Sequence, residues 1–305
     1  MGIPLCVVVI ARAADDDPLC VLGALAAEPG IDACEVLFVD GRTAAAPDEK
    51  RPAPVAGLAG VRVIAMPGLA MPELKAVGAR SARAPSVGFL ESKGVPRAGW
   101  LAIALRAIAD DPGALIGGSV CMQSAPTAAN QAGFSFEYGA LTPDAISAGG
   151  HADLAGNNMI LPRAALLNTC AGILQDAGLN KPFCQARLAA AGHPIKMYGD
   201  MQVSLQHGYS VRALLYSRFQ HARCFGATRV ARARGLRKWV LRLGAPLALF
   251  VLLMRHYRRM GAAARASARP RPGAWVVLTL LCMSWACAET LGAWCGPGRA
   301  CARLH

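Results

Sequence analysis

The sequence lacks the glycine signatures of the commonest nucleotide-binding folds. No G-x-G-x-x-G follows its first apolar run and no G-x-x-x-x-G-K-[ST] occurs anywhere, which argues against a dinucleotide-binding domain and a P-loop enzyme. No G-x-S-x-G is present, which disfavours an α/β hydrolase. The 11 cysteines include no C-x-x-C pair and no zinc spacing, so no metal knuckle is indicated. Six of them, Cys6, Cys20, Cys34, Cys121, Cys170 and Cys184, stand in apolar surroundings and read as small buried hydrophobes in a reducing compartment. The opening "MGIPLCVVVIARAADDD" has no basic start and no cleavage site, and Cys6 occupies the place a myristoylation signal gives to Ser or Thr. The expectation is a chain that begins in the cytosol.

Acid is missing from one long stretch. Between Asp200 and Glu289 there is none, while fifteen Lys or Arg fall between Arg212 and Arg271. The net charge of +13 therefore belongs to one region. There the arginines flank apolar runs, as in "ARARGLRKWVLRLGAPLALFVLLMRHYRR" (231–259), with twelve uncharged residues from Leu243 to Met254. That interleaving fits an anionic membrane and not nucleic acid. Residues 1–228 are expected to form one α/β domain and 229–305 a basic, membrane-associated helical region, with apolar runs at about 239–254 and 273–295. The first run is short for a span of about twenty residues, and basic clusters on both sides of it conflict with the positive-inside rule. Two packed apolar helices with the first one shallow is the preferred reading, and a two-span hairpin is the alternative.

The N-terminal part alternates strands and helices. Leu5 to Ile10 is a run fit for a strand buried on both faces. Asp17 and Pro18 mark a helix start. "CEVLFVDGRT" is a second strand ending in Asp40, and a Pro/Ala-rich link over 44–54 leads to "VRVIAMP". "MPELKAVGARSA" is a helix, "SVGFLE" a strand ending in Glu91, "RAGWLAIALRAIADDP" a helix and "ALIGGSV" a strand. This pattern predicts a parallel, wound sheet flanked by helices, with ligands outside the carboxyl ends of the strands. Asp40 and Glu91 should then line one cleft.

The order of these parts resembles the family 2 glycosyltransferases, whose nucleotide-sugar-binding domain has the GT-A fold, over residues 3 to 227. "EVLFVDGRTA" resembles the segment whose Asp contacts the nucleotide, here Asp40. "VGARSARAPSVGFLESKGVPRAGWLAIAL" resembles the stretch carrying the acid-x-acid motif and the Pro-x-x-Gly-Trp helix start. "LAGNNMILPRAAL" resembles the sugar and acceptor wall, which brings in Gly156, Asn157 and Asn158. "FCQARLAAAGHPIKMYGDMQVSLQH" resembles the end of the catalytic domain, with His207 where a late histidine nears the diphosphate. "QHARC" matches Q-x-x-R without the Trp that completes the motif of processive synthases.

The resemblance implies an inverting transferase that moves a sugar from a nucleotide-sugar donor to a lipid-linked or surface-glycan acceptor. Its partners would be that donor, a lipid-linked or polysaccharide acceptor and the membrane, with no nucleic acid; the catalytic domain would face the cytosol at the cytoplasmic membrane. It also implies Mg²⁺ or Mn²⁺ on paired acids and a separate carboxylate as general base. The sequence departs at both places. The acid-x-acid position reads Glu91-Ser92-Lys93, which leaves Glu91 as the one metal-ligand candidate and weakens the case for a metal. The family's Glu-Asp pair falls on Asn180-Lys181, with Asp176 four residues upstream as the substitute base if its loop turned inward. Lys93 then reads as a fixed ammonium where the metal usually sits, held by Glu91, or with Glu91 as the base. The alternative is a catalytically degenerate membrane protein that binds glycan or scaffolds a partner enzyme, with Lys93 a solvated surface residue.

Overall fold

The computed structural model describes residues 2–14, 16–43, 58, 60–125, 127–149, 153–206, 208–266 and 270–301. The link expected over 44–54, and His207, lie outside the described residues. The chain divides into two compact units, one of residues 1–123 with 141–206, the other of 124–140 with 207–305.

In chain order the elements begin with β1 (Leu5–Ala11), α1 (Leu19–Ala26), β2 (Glu35–Asp40), β3 (Arg62–Ala65), α2 (Met71–Ser81) and β4 (Ser86–Glu91). Then come β5 (Gly94–Pro96), α3 (Trp100–Asp110), β6 (Leu115–Met122) and, in the second unit, α4 (Ala128–Tyr138). The first unit resumes with α5 (Pro143–Ser147), β7 (Asn158–Pro162), α6 (Arg163–Thr169), α7 (Ala171–Ala177), α8 (Lys181–Ala190) and β8 (Ile195–Leu205). The sheet has the order β3-β2-β1-β4-β7-β6-β8-β5. β3, β2, β1 and β4 run parallel, β7 is antiparallel to β4 and β6, β8 is parallel to β6, and β5 is antiparallel to β8. The sheet is wound and mixed, as the GT-A resemblance implies, with β7 and β5 antiparallel where the alternation of strands and helices alone predicts parallel strands.

β1 shows why a continuous apolar run is needed at the centre. Leu5, Val7, Val9 and Ala11 join the core with α1 and α3, whereas Cys6, Val8 and Ile10 join the core with α2 and α8 on the other face. All seven residues are fully buried, and each full-sized aliphatic side chain so buried contributes about 1.5–3 kcal/mol. Asp17 acts as the sequence suggests, one position early: its Oδ1 accepts from Leu19 N at 2.9 Å, while Pro18 takes the cap position. α3 is capped from a distance. Gly99 supplies a left-handed residue (φ +86°) that no β-carbon favours. The buried Glu28 accepts from Gly99 N at 2.9 Å and Leu101 N at 3.1 Å, a carboxylate on the positive end of a helix.

Asn158 ties three strands and a helix together. Its Oδ1 accepts from Trp100 Nε1 at 2.9 Å, and its Nδ2 donates to Ser119 O and Met201 O, both at 2.8 Å. Asn158 and Trp100 are fully buried. Gly118 beside it has no room for a side chain, because a Cβ would lie 2.1 Å from Met201 O and 2.2 Å from Asn158 Nδ2.

The second unit holds α4 with α9 (Val211–Arg232), α10 (Leu236–Gly244), a 3-10 turn (Ala245–Leu247), α11 (Ala248–Ala266) and α12 (Pro272–Cys295). Residue 228, the boundary drawn from sequence, lies inside α9. Among the described residues one helix, α12, is long and apolar enough to cross a membrane, and half of its most apolar stretch is buried. The first apolar run is instead divided between α10 and α11 by the turn at Pro246. Of the six cysteines expected to be buried, Cys6, Cys170 and Cys184 are, Cys34 and Cys121 are partly covered, and Cys20 on α1 is exposed. Cys224 and Cys301 form a disulfide that sequence reading did not anticipate.

Asn158→Leu should leave Trp100 Nε1, Ser119 O and Met201 O without partners in the interior. At about 1–3 kcal/mol for each orphaned group, urea unfolding should show a loss of roughly 3 kcal/mol or more. An unchanged midpoint would mean that the amide holds nothing together.

Candidate active site

The parallel strands β2, β1 and β4 are neighbours and end on the same edge of the sheet, where wound sheets bind ligands. Each end carries an acid paired with a cation. After β1, Asp16 is buried, and its Oδ2 accepts from Arg12 N at 2.8 Å and Ala13 N at 2.9 Å. Its Oδ1 meets Lys93 Nζ at 3.3 Å as an ion pair without hydrogen-bond geometry. Burial pushes this carboxyl up, but the two backbone N–H groups and the Lys93 charge outweigh burial and hold it below the usual aspartate value.

At the end of β2, Asp40 is clasped by Arg42. Arg42 Nε and N donate to Oδ1 at 2.9 and 3.0 Å, and an Arg42 terminal nitrogen donates to Oδ2 at 2.8 Å. The other terminal nitrogen donates to Asp16 O at 3.2 Å, and the guanidinium lies 5.7 Å from the Phe38 ring centroid. The Arg42 side chain is 1% exposed, so this bidentate pair is set into the sheet edge.

At the end of β4, Glu91 Oε1 accepts from Lys75 Nζ at 2.7 Å, and the same ammonium donates to Gly156 O at 2.8 Å. Lys75 comes from α2 with its side chain 7% exposed. Glu91 therefore holds Lys75 and not Lys93. Lys93, two residues on and past a turn, points to Asp16 and keeps 40% of its side chain in solvent. Gly156 lies in the turn before β7 and contributes its carbonyl. Asn157 is 2% exposed, and its Oδ1 has no hydrogen-bond partner. Asn158, expected at the sugar, has its amide engaged inside the sheet instead.

The two positions meant to supply the base come out differently. Asp176 is not in a loop that turns inward: it is an exposed residue of the helix α7, which packs along α2. Asn180 caps α8, and Lys181 Nζ donates to Leu154 O at 2.8 Å and pairs with Asp153. Gln220 and Arg223 of "QHARC" lie on α9, where Arg223 Nε donates to Gly296 O at 3.2 Å.

The donor set does not fit a divalent cation. Mg²⁺ and Mn²⁺ take several hard oxygens, whereas Glu91 is a single carboxylate already joined to an ammonium. Among the described residues no group of three His, Cys, Asp or Glu side chains stands close enough to hold a metal ion.

No family profile matches the sequence, and no curated protein matches it. Solved structures do. The mannosyltransferase PcManGT from Pyrobaculum calidifontis, solved with GDP-Man and Mn²⁺, superposes with a TM-score of 0.58 over 96% of this chain and 88% of its own, at 16% identity. The fold is of the GT-A type. Residues 1–349 of TarS from S. aureus also match (TM-score 0.46, 11% identity, 94% of this chain and 90% of that one). So does GalNAc-T7 with UDP, GalNAc and Mn²⁺ (TM-score 0.48, 12% identity, 68% and 44%).

Sequence reading of the GT-A edge found Asp40, Glu91 and Lys93 but missed Asp16, Arg42 and Lys75, which partner all three. Removing a buried partner strands the other charge. Lys75→Met should cost about 2–3 kcal/mol, and Glu91→Gln in the same chain should restore part of it, with a coupling of about 1–2 kcal/mol in a double-mutant cycle. Additive costs would mean that the pair is idle. Asp16 also sets an acid response. Its carboxyl lies below its unfolded value, so its stabilisation is complete above the ordinary aspartate value and is lost as pH falls through the depressed one. Asp16→Asn should flatten that acid limb of the stability profile.

Proposed function

We propose that this chain is a glycosyltransferase of the family 2 type, moving a sugar with inversion from a nucleotide-sugar donor to a lipid-linked or surface-glycan acceptor at the cytosolic face of a membrane. The observation that carries this reading is the row of ion pairs, Asp40–Arg42, Asp16–Lys93 and Glu91–Lys75, at the ends of three neighbouring strands of a GT-A sheet. A diphosphate leaving group gains charge as the glycosidic bond breaks, and fixed cations stabilise that charge without reorganising. Lys93 is the cation best suited to it: it is half in solvent and anchored by Asp16 through a single long contact. Asp40 is assigned to the nucleotide, and His207 to the diphosphate.

Lys75 holds Glu91 by Oε1, which leaves Oε2 to act as general base. In that step the acceptor oxygen bonds to the anomeric carbon on the face opposite the phosphate, and the carbon–oxygen bond to the nucleoside diphosphate breaks with its electron pair. The hydroxyl proton passes to Glu91. Asn157 Oδ1, buried and without a partner, is an acceptor waiting for a sugar hydroxyl. Asp176, exposed on α7, takes no part. Membrane association is supported by the acid-free basic stretch and by the apolar helices of the second unit.

A second reading, a non-catalytic glycan-binding or scaffolding protein, is favoured by one observation: both acids that the family resemblance assigns, Asp40 and Glu91, are neutralised by internal cations. Calorimetric titration of UDP- and GDP-sugars into the detergent-purified chain separates the two. One of the donors should bind equally well with Mn²⁺ or with chelator, and Lys93→Ala should weaken it roughly 10- to 100-fold, the worth of a lost charge-assisted contact. Binding that demands Mn²⁺ and ignores Lys93→Ala would refute the lysine's role. Absence of binding throughout would favour the second reading.

A further inference from the structure

α12 is clasped by a polar helix. Gly226 of α9 and Gly292 of α12 let the two backbones touch: a Cβ on Gly226 would lie 2.3 Å from Glu289 O, and one on Gly292 would lie 2.1 Å from Arg223 O. Glu289 of α12 is 5% exposed, pairs with Arg229 of α9, and accepts from Trp285 Nε1 at 3.0 Å. The disulfide Cys224–Cys301 joins α9 to the segment that follows α12. α9 carries five arginines in 22 residues. A span by α12 would therefore draw α9 into the hydrocarbon or tear the two apart, and each arginine at the bilayer centre costs about 2.5–3.5 kcal/mol.

The apolar surface lies elsewhere. Leu236, Val240, Leu243, Leu247, Val251 and Met254 are each 54–78% exposed and recur every three or four residues through α10, the turn and α11. They give each of the two successive helices an exposed apolar face. Trp239 and Phe250, 52% and 67% exposed, widen these faces. α12 shows a parallel row in Val276, Leu280, Met283 and Leu291, ending in the half-exposed Trp294. Arg242 lies between Trp239 and Trp294, 5.4 and 5.6 Å from their ring centroids. Arg234, Arg237, Arg255 and Arg258 are exposed on the same elements or their flanks.

From these features we infer that the chain is monotopic: α10 and α11, with the outer row of α12, lie in the plane of an anionic bilayer, and α12 does not cross it. This rests on the membrane association proposed above and specifies its geometry. Tryptophan and arginine beside an apolar stripe are the residues that settle at the headgroup boundary. Lipid phosphate is the complement of a region without acid from 201 to 288. A second copy is a poor occupant, since it would set the exposed Arg234, Arg237, Arg255 and Arg258 against their own counterparts with no acid from 201 to 288 to pair them.

The test is flotation of the full chain, freed of detergent, with vesicles of phosphatidylcholine alone or with phosphatidylglycerol. Binding should need the anionic lipid, fall with salt, and be reversed by an alkaline carbonate wash. Leu243→Glu and Leu247→Glu, both at exposed positions, should each lower partitioning about tenfold or more. Arg237→Gln with Arg255→Gln should weaken dependence on phosphatidylglycerol. Carbonate-resistant protein indifferent to Leu243→Glu would overturn the proposal in favour of a spanning α12. So would a soluble dimer that Leu243→Glu splits while vesicle binding stays unchanged. Donor binding by the same preparations keeps the two proposals apart: vesicle binding without donor binding would defeat the transferase reading and leave this one standing.

Discussion

One buried ammonium organises the candidate site. Lys75 leaves α2, meets Glu91 at the tip of β4 and reaches Gly156 O in the turn that opens β7. Those three elements meet where the sheet changes from parallel to antiparallel, since β4 pairs with β1 on one side and β7 on the other. The same contact explains the glycine: a Cβ at residue 156 would come within 3.3 Å of the ammonium. A cation with 7% of its side chain exposed needs a carboxylate and a carbonyl around it. The position of Glu91 beside it follows from that need as much as from any chemistry.

Around this pair the charges alternate in a way that suits a polyanion better than a metal. Metal-dependent sites pool carboxylates and import the positive charge. Here each carboxylate has its own cation drawn from the chain: Arg42 for Asp40, Lys93 for Asp16, Lys75 for Glu91. The three differ in how firmly the cation is fixed. Arg42 is held by four hydrogen bonds and Lys75 by two short ones, whereas Lys93 has one 3.3 Å contact and open solvent. A ligand competes most easily for the loosest cation. Under the proposed function that ordering favours Lys93 as the cation that meets the diphosphate.

How much of this was legible in the sequence depended on the range of the interactions. β1, β2 and β4 announced themselves because a strand buried on both faces must be apolar throughout, and their ends delivered Asp40 and Glu91 to one edge. The helix partner of Glu91 was hidden: Lys75 sits among "ELKAVGARS" with no local mark that it turns inward, and a buried lysine on an amphipathic helix reads as a solvated one. Asp16 was lost in "ADDD", where three acids before a proline look like helix-capping chemistry, and Asp17 does accept from Leu19 N just ahead of the cap position. β5, three residues directly after the Glu91-Ser92-Lys93 turn, is too short for any periodicity and exists only because β8 is there to pair with it. Asn158 looked like a sugar contact because small polar residues in a turn do; its burial beneath Trp100 is a fact of packing that spacing does not encode.

The C-terminal region poses a different problem, because two signals in it have to be weighed together. Hydropathy counts a helix as apolar all round, and α12 passes on length and composition. Its Gly292 and Glu289 serve a contact with α9, where a small residue permits backbone approach and a buried acid pairs with Arg229. The charge pattern was the more informative clue. Arginines on both sides of the first apolar run contradict a crossing, because one cluster would have to stand on the outer side, and the contradiction vanishes if the run never crosses. A helix pair broken at Pro246, with exposed apolar residues on both helices and arginines beside them, satisfies the hydropathy and the charge of that first run together.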